Sequence, residues 1–468
     1  MLSDPDFVPF EPPPRPLGLR GVPTLWRNYI ETIPRSAYEE GVTRIRTRLS
    51  DTLLVCDPDV IGEILVEKPD AFLRDPATRR SFKPVVGENS IFVAEGADWR
   101  WQRRAVASIF RHDTILSFVP RFAAVAERQV ERWREADTST PVDAAAAMTR
   151  TTFEIIVETM LGGSATLDAE RYGQALTENF ETIPWHLIYT MFSVPEWVPF
   201  PNRRRAMAAR DFLHHDMHRL VRARRAKPSA QADLLDLLLA ARDPDSGRVM
   251  SDAEVVNNLL TFIAAGHETT AVALTWTLWL LAKDQESQQR VFEEVAALAG
   301  HDRIAAVHVH GLTYTRQVIA EAMRLFPPAP GIGRVPGAPM ILAGMQIDTR
   351  TRIHIPIFAL HRNVRLWDDP NAFDPGRFAA DRVKTRSRYA YLPFGGGPRV
   401  CIGASFATIE AAAILAVLVR AFRFRPLKAH KPRPVARVTL RPAGGMPLLV
   451  AAREPVTVKA GAALGHDA

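Results

Sequence analysis

The segment that most constrains the fold of this chain is a glycine-rich loop that ends at a single cysteine. It reads Phe394-Gly-Gly-Gly-Pro-Arg-Val-Cys-Ile-Gly403. Three consecutive glycines followed by a proline cannot continue a helix or a central strand, so the sequence predicts a tight loop here. A long apolar run rich in helix formers follows from Ala404. Cys401 is therefore predicted to lie where a buried helix begins.

The surroundings of Cys401 favour a thiolate that binds a metal. At a helix N-terminus, unpaired N–H groups and the helix dipole favour an anion and are expected to lower the thiol pKa. Gly395 and Gly403 let a flat, bulky group lie against the backbone, and Phe394 can shield the sulfur from water. With the fixed charge of Arg399 nearby, these features suit a haem iron ligand, with Arg399 on a propionate. For Cys401 taken alone, the alternative is an inert buried thiol.

Composition limits the class of protein. The chain has 468 residues, 47% of them hydrophobic, which is enough for a large core. Its two cysteines fit a reducing compartment, and Cys56 lies in an apolar, strand-like run that indicates core. The N-terminus lacks the pattern of a signal peptide or anchor, so we expect a soluble, cytoplasmic protein. The net charge of +7 comes from arginines spread over many segments, which favours an acidic protein partner over nucleic acid.

A second informative segment is a long apolar helix predicted from a capping box at Ser251 and Glu254 and reaching residue 282. Midway it carries Ala265-Gly-His-Glu-Thr-Thr270. Thr269 is spaced to donate a hydrogen bond to the Ala265 carbonyl, which would loosen the helix and admit water. An acid beside an alcohol is costly in a buried helix unless it has a function. The alternative is a polar patch against a neighbouring loop.

Two further pairs have the spacing of neighbours on a helix. Trp99 and Arg103 are four residues apart, and an indole N–H and a guanidinium on one face can together bind a carboxylate. Without other information, a cation–π or surface pair is the more common meaning. Glu321 and Arg324 are three residues apart, which is the spacing of a very common surface ion pair.

Taken together, these segments resemble the cytochrome P-450 family. The loop matches its haem-binding pattern F-x-x-G-x-R-x-C-x-G, and the other landmarks follow in the family's order from Trp99 to Gly403. The resemblance implies a mainly α fold with a smaller β region (α+β), with haem between the long central helix and the cysteine-ligand helix. We expect one domain over residues 1–468. A Pro-rich, extended N-terminal arm is predicted at 1–34 and a frayed tail at 454–468.

The resemblance also assigns roles to individual residues. Trp99 and Arg103 match a W-x-x-x-R clamp on a haem propionate, and Arg334 matches a propionate-binding arginine on a strand. Glu268 and Thr269 would be catalytic, delivering protons beside the haem, which Ala265 would contact. Glu321, Arg324 and Arg377 would form a structural network under the cysteine loop. The cofactor-binding set implied is Trp99, Arg103, Ala265, Arg334, Phe394, Gly395, Arg399, Cys401 and Gly403, with Cys401 as ligand to the iron of haem b.

Substrate contacts are expected from two segments. Residues 75–95 carry several prolines and glycines and are predicted to be an irregular binding loop. Residues 183–201 are aromatic and broken by prolines, which excludes one regular helix. Ordinary loop anchoring is the alternative for the first, and for the second a hydrophobic patch under a loop, an oligomer contact or a membrane-surface contact. The candidates from these two segments are Phe82, Ile91, Phe92, Val93, Trp185, Leu187, Ile188 and Phe192. Four further candidates lie elsewhere: Phe262 and Ala265 in the long apolar helix, and Pro330 and Ile332 after the segment of Glu321 and Arg324.

The activity implied is that of a haem-thiolate monooxygenase, which inserts one atom of O₂ into a hydrophobic small molecule such as a fatty acid, terpenoid, steroid or aromatic compound. Because the chain ends soon after the haem helix, we expect electrons from a separate ferredoxin and its NAD(P)H reductase. Arg100, Arg104, Arg111 and His112 would lie near the docking surface. The alternatives are a peroxide-driven peroxygenase, a haem-thiolate isomerase, a haem-binding sensor or non-catalytic ligand-binding protein, and a histidine-ligated haem protein.

Overall fold

Helices make up most of the computed structural model, which describes residues 12–14, 22–47, 50–136, 140–162, 169–191, 194–195, 197–227 and 233–453. The helices of the first half are α1 Val22–Arg27, α2 Ser36–Glu39, α3 Pro58–Gly62, α4 Pro76–Val86, α5 Gly96–Ala107, α6 His112–Leu116, α7 Val119–Glu135, α8 Ala144–Met160, α9 Ala169–Phe180, α10 Ile183–Met191, α11 Arg203–Ala226 and α12 Leu234–Ala240. Those of the second half are α13 Asp252–Lys283, α14 Gln285–Ala299, α15 Ala306–Gly311, α16 Thr313–Leu325, α17 Ile357–Leu360, α18 Ala380–Thr385 and α19 Ala404–Ala421.

Short strands pair into small sheets. They are β1 Val42–Arg46, β2 Asp51–Val55, β3 Phe72–Arg74, β4 Val142–Asp143, β5 Ile332–Pro336, β6 Met340–Leu342, β7 Met345–Ile347, β8 Thr351–Ile355, β9 Phe422–Pro426, β10 Pro434–Ala436, β11 Leu440–Pro442 and β12 Pro447–Ala452. The largest sheet has the order β1-β2-β8-β5-β3, in which the β2–β8 pair is parallel and the others are antiparallel. The fold class predicted from the sequence, mainly α with a smaller β region, is confirmed.

Helix α13 runs through the middle of the structure. The predicted capping box is present: the Ser251 hydroxyl accepts a hydrogen bond from the Glu254 N–H, and the Glu254 carboxylate accepts one from the Ser251 N–H. The 32 residues that follow span about 48 Å at the rise of an α-helix. Most side chains from Val255 to Ala282 are buried, because the helix packs against α8, α11, α16 and α19. Within that stretch Ala265 is exposed, and Gly266 and Thr269 are partly exposed.

Helix α19 follows the cysteine loop and packs against α7, α14 and α16. Of the helices in the described part of the chain, α19 is the one that is long enough and apolar enough to cross a membrane, with a mean hydropathy of 1.7. Two-thirds of that window is buried inside the fold, which is typical of a core helix of a globular protein.

Two predictions about local structure are wrong. Residues 75–95 are not irregular throughout, because α4 begins at Pro76, where the Asp75 carboxylate accepts a hydrogen bond from the Ala77 N–H. The N-terminal arm is not all extended, since the chain is helical at Val22–Arg27 and Tyr29–Thr32. The tail at 454–468 lies outside the described residues. Strands β1 and β2 form an antiparallel hairpin, and Cys56 follows β2.

Candidate active site

The cysteine loop is held in place by its backbone. A 3₁₀ turn at Gly397–Arg399 leads into Cys401, whose N–H donates a 2.9 Å hydrogen bond to the Phe394 carbonyl. Gly397 has a φ of +70°, and a Cβ added there would lie 1.8 Å from the Leu65 carbonyl oxygen. Only glycine fits at this position, which explains why the loop needs a glycine immediately before the proline.

Cys401 is an exposed residue, although the surrounding protein still desolvates its thiol. Burial raises the pKa of Cys401 above its usual value, and the Gly403 N–H and the charge of Arg103 oppose that rise. The predicted net lowering of the pKa is therefore wrong for the chain alone, because desolvation outweighs the effect of the helix N-terminus. Coordination to a metal deprotonates a thiol irrespective of this balance. Cys56, in contrast, is buried after β2 and its pKa is raised by desolvation.

Three guanidinium groups gather beside the cysteine loop, and we call Arg74, Arg334 and Arg399 the arginine cluster. Arg74 and Arg334 are directly paired residues of the neighbouring strands β3 and β5. Burial, followed by the charges of Arg399 and Arg334, lowers the pKa of Arg74 to about 9. Burial and the charge of Arg399 lower the pKa of Arg334 to about 10. Guanidinium groups stay charged at neutral pH, so these lowered values indicate positive charge with too little compensation.

One carboxylate faces this cluster. Glu95 lies 2.5 Å from Arg399, and Arg399 also donates to the Ala94 carbonyl at 3.1 Å. The Arg399 guanidinium stacks on Trp99, 4.3 Å from the ring centroid. The Nε of Arg74 is buried and has no hydrogen-bond partner among the described residues. The arginine cluster and Glu95 together carry a net charge of +2, and Arg79 adds further positive charge that acts on Arg74 and Arg399. Such a site would attract the two propionates of a haem.

The structure places the predicted propionate residues near one another. Trp99 and Arg103 lie on α5, and Arg103 is half-buried and close enough to Cys401 to influence its pKa. Arg334 and Arg399 belong to the arginine cluster. Sequence reasoning missed Arg74, whose signal is only that it follows the short apolar run Phe72-Leu73 and that β3 pairs with the strand of Arg334. The structure thus adds one arginine to the predicted set.

The acid–alcohol pair of α13 has two different environments. The Thr269 hydroxyl donates a 2.7 Å hydrogen bond to the Ala265 carbonyl, as the spacing predicts. Glu268 is buried, and its Oε1 accepts hydrogen bonds from the Thr439 hydroxyl and the Arg441 Nε. Its Oε2 has no partner among the described residues. The hairpin β10–β11 therefore holds the acid through an ion pair between Arg441 and Glu268, which the sequence alone does not suggest.

The predicted structural network comes together in the core. Glu321 and Arg324 are both fully buried and are joined by hydrogen bonds of 2.6 and 2.7 Å. The Arg377 Nε lies 3.5 Å from the Glu321 carboxylate. Arg324 also donates to the carbonyls of His361, Pro370 and Ala372, and Glu321 accepts from the Asp374 N–H. The network thus ties α16 to the irregular segment that leads to the cysteine loop.

The substrate candidates outside residues 183–201 comprise aromatic side chains in ring contacts, Ile332 beside the cysteine loop, and several single residues. Phe82 and Phe92 contact each other at 4.8 Å between ring centroids, and Phe262 contacts Phe110 at 5.2 Å. A Cβ added at Gly395 would lie 3.5 Å from Ile332, so Ile332 is close to the cysteine loop. Of the other candidates outside residues 183–201, Ile91, Val93 and Pro330 are buried and Ala265 is exposed.

The candidates of the 183–201 segment are less well placed. Among its described residues, this segment is helical at Ile183–Met191 and not beyond, in keeping with its prolines. Trp185 stacks at 6.5 Å on Phe200, within an aromatic group that includes Tyr189. This packing favours the alternative of a hydrophobic patch under a loop. Phe192 and the side chains of Leu187 and Ile188 lie outside what the structure describes.

Comparison with known proteins agrees with this geometry. The family model for Cytochrome P450 matches residues 35–448. The chain is 30% identical to a cyclooctat-9-en-7-ol 5-monooxygenase of Streptomyces melanosporofaciens over 410 residues, which cover 86% of both chains. It is 27% identical to human Cytochrome P450 4A11, covering 90% of this chain and 83% of the other. Among solved structures, the haem domain of cytochrome P450DA superposes with a TM-score of 0.79 at 25% identity, covering 89% of this chain and 90% of that domain.

A mostly helical fold that joins a cysteine loop, an arginine cluster and an acid–alcohol pair defines a haem-thiolate protein. The chain belongs to the cytochrome P450 family. It is a monooxygenase, an oxidoreductase that carries haem with a cysteine thiolate as iron ligand.

Proposed function

We propose that Cys401 is the thiolate ligand and that the chain hydroxylates or epoxidises a hydrophobic small molecule with O₂. The observation that carries this proposal is the exposed residue Cys401 next to an arginine cluster with too little negative charge. When bound, haem supplies the activation of oxygen and its transfer to the substrate. The arginine cluster, with Trp99 and Arg103, would hold the propionates, and Gly395 and Gly403 would let the ring approach the backbone.

The carbon monoxide spectrum of the reduced protein tests the ligand. We expect a strongly red-shifted Soret band in the wild type, and its loss in Cys401→Ser. Cys56→Ser is the matched control, because Cys56 is buried in the core, and it should keep the band. A Soret band of the histidine-ligated type in intact wild-type protein, or retention of the red-shifted band in Cys401→Ser, would overturn the assignment.

The chain's own groups would serve the reaction by holding water and moving protons. The Thr269 hydroxyl is half-buried on α13 and, if it released the Ala265 carbonyl, it would be free to donate a hydrogen bond to water or O₂ held beside it. Glu268 can exchange protons with it once its carboxylate turns away from Arg441. We therefore assign Thr269 to holding oxygen and water, and Glu268 to supplying protons from the side of the hairpin.

We further propose that electrons come from a separate ferredoxin-type protein, with its NAD(P)H reductase, that docks beside α5 and α6. Arg104 is a weaker docking residue than the sequence suggests, because it already pairs with Asp243 at 2.8 Å and with Asp245 at 3.1 Å. Arg111 is exposed and makes no ion pair with any described residue. Arg111→Glu should slow reduction by a ferredoxin measured by stopped flow, whereas Arg204→Glu, an equally exposed change on α11, should not. Equal rates in wild type and Arg111→Glu would contradict the docking site, and efficient turnover with peroxide alone would favour the peroxygenase alternative.

The substrate is expected to be a fatty acid, terpenoid, steroid or aromatic compound. The aromatic candidates Phe82 and Phe92, which are partly buried, and Phe262, which is buried, support an apolar ligand. Two relatives are named for cyclooctat-9-en-7-ol and for a taurochenodeoxycholic substrate, so terpenoid alcohols and bile acids are the first compounds to test. A compound that shifts the ferric haem towards high spin would identify the class. The cytoplasmic location stays a prediction.

A further inference from the structure

Glu95 occupies an unusual position for an acidic residue. It is the last residue before α5, with an extended backbone, and its side chain is about a quarter exposed. One carboxylate oxygen pairs with Arg399 at 2.5 Å. The other is buried and has no hydrogen-bond partner among the described residues. A carboxylate kept partly unpaired inside a protein is costly, so its charge needs an explanation.

The surroundings of Glu95 supply one. Its negative charge acts on Arg74, Arg334 and Arg399 alike and opposes the effect that these cations have on one another. Arg100 and Asp70 lie farther out and pair with each other. Glu95 together with two haem propionates would give three negative charges against the three positive charges of the arginine cluster. Arg79 and Arg103 add positive charge close to this group, so the negative charge of Glu95 remains favourable there even with two propionates bound.

We propose that Glu95 is a positioning residue that fixes Arg399 on the Trp99 ring and, through its negative charge beside the propionates, holds the reduction potential of the haem low. This inference rests on the proposed haem site at Cys401. A fixed negative charge near the iron favours the ferric state, which carries one more positive charge than the ferrous state. Burial makes the interaction stronger than it would be at a solvated surface. Glu95 would thus help to keep the iron oxidised until substrate binds.

The ferric/ferrous midpoint potential tests this proposal without a known substrate. Glu95→Gln removes the charge and keeps the shape, and it should raise the midpoint potential measured by spectroelectrochemical titration of the Soret band. Glu95→Asp keeps the charge and should stay close to the wild type. Asp98→Asn is the matched control, since Asp98 lies three residues further along, is 76% exposed and is 3.9 Å from Arg248. It removes the same charge at the surface and should leave the potential unchanged.

Each other outcome has a defined meaning. An unchanged potential in Glu95→Gln, or an equal shift in Asp98→Asn, would overturn the proposal. If Glu95→Gln is purified without haem while Glu95→Asp is loaded normally, the requirement for the charge is supported. If both lack haem, shape rather than charge is required, and the proposal fails. The carbon monoxide spectrum of the wild type tests Cys401 separately, so failure of the ligand assignment is distinguishable from failure of the role of Glu95.

Discussion

Replacement of Glu321 by glutamine tests whether the buried network supports the haem site. In the wild type, Arg324 donates two hydrogen bonds to Glu321 and three to backbone carbonyls, and both side chains are fully buried. Glutamine leaves the guanidinium charge without a counter-ion and turns an N–H₂ group or a single oxygen towards it. Breaking a buried ion pair costs roughly 3–5 kcal/mol. Because the backbone carbonyls still accept hydrogen bonds from Arg324, we expect a loss of unfolding free energy at the lower end of this range, about 3 kcal/mol.

The assay combines urea unfolding, followed by far-UV circular dichroism, with the haem content of the purified protein. We expect Glu321→Gln to lose about 3 kcal/mol of unfolding free energy and most of its haem, because the network anchors the segment before the cysteine loop. Glu88→Gln is the control: Glu88 pairs with Lys83 at 2.6 Å, but the two side chains are 72% and 47% exposed. Exposed pairs contribute about 0–1 kcal/mol. Normal haem content in Glu321→Gln, with a loss no larger than in the control, would refute the reasoning.

Three further substitutions probe the cysteine loop, the acid–alcohol pair of α13 and helix α19. Gly397→Ala places a Cβ against the Leu65 carbonyl and should abolish haem loading, measured by absorbance of the purified protein. Arg441→Gln leaves Glu268 a buried acid without its ion pair, and should raise the peroxide released per NADPH consumed in a reconstituted assay. Burial raises the pKa of Glu410 to about 8, so the native state holds a proton that the unfolded state has lost between about pH 4.5 and 8. The stability of the wild type should therefore fall as pH rises through this window, and Glu410→Gln should remove that fall by a few kcal/mol in urea unfolding at pH 5 and 8.5.

Each of these changes has a control or a contrary outcome. Gly444→Ala also has a positive φ, +77°, but nothing lies within 4 Å of its Cβ, so it should cost only about 1 kcal/mol and keep haem. Arg437→Gln removes an exposed charge from the turn of the same hairpin and should leave coupling unchanged. Parallel pH dependences of the wild type and Glu410→Gln would show that Glu410 does not titrate as its burial implies.

The sequence was sufficient for features whose cause is local. The capping box at Ser251 fixed the start of α13, and Asp57-Pro58 marked α3. The same Asp-Pro signal at Asp75-Pro76 begins α4, although Pro84 and Gly87 in the same segment favour an irregular loop. Pro84 has no N–H to donate to the Arg80 carbonyl, and α4 ends two residues later at Val86. In this segment the helix-start signal at Asp75-Pro76 therefore predicts the structure better than the proline and glycine content does.

Features that depend on distant pairing were not visible in the sequence. Arg74 joins the arginine cluster only because β3 pairs with β5, which lies far along the chain. The resemblance to the family assigns Arg334, Arg399 and Trp99 individually. It does not indicate that Glu95 pairs with Arg399 and places a negative charge among these arginines. The raised pKa of Cys401 is not visible in the sequence for the same reason, because the burial that raises it depends on how the whole core closes around the loop.

The ion pair of Glu268 shows how such distant contacts change a mechanism inferred from a motif. The motif places an acid beside Thr269, but the carboxylate is bound by the hairpin that carries Arg441. That hairpin cannot simply follow the acid, because the Leu440 carbonyl accepts a 2.7 Å hydrogen bond from Trp276 and the Leu440 N–H donates to Pro328. Turning Glu268 towards Thr269 therefore requires the ion pair to open. Since Arg441 is about half exposed, water can replace Glu268 as its partner, and the step is accessible without unfolding the core.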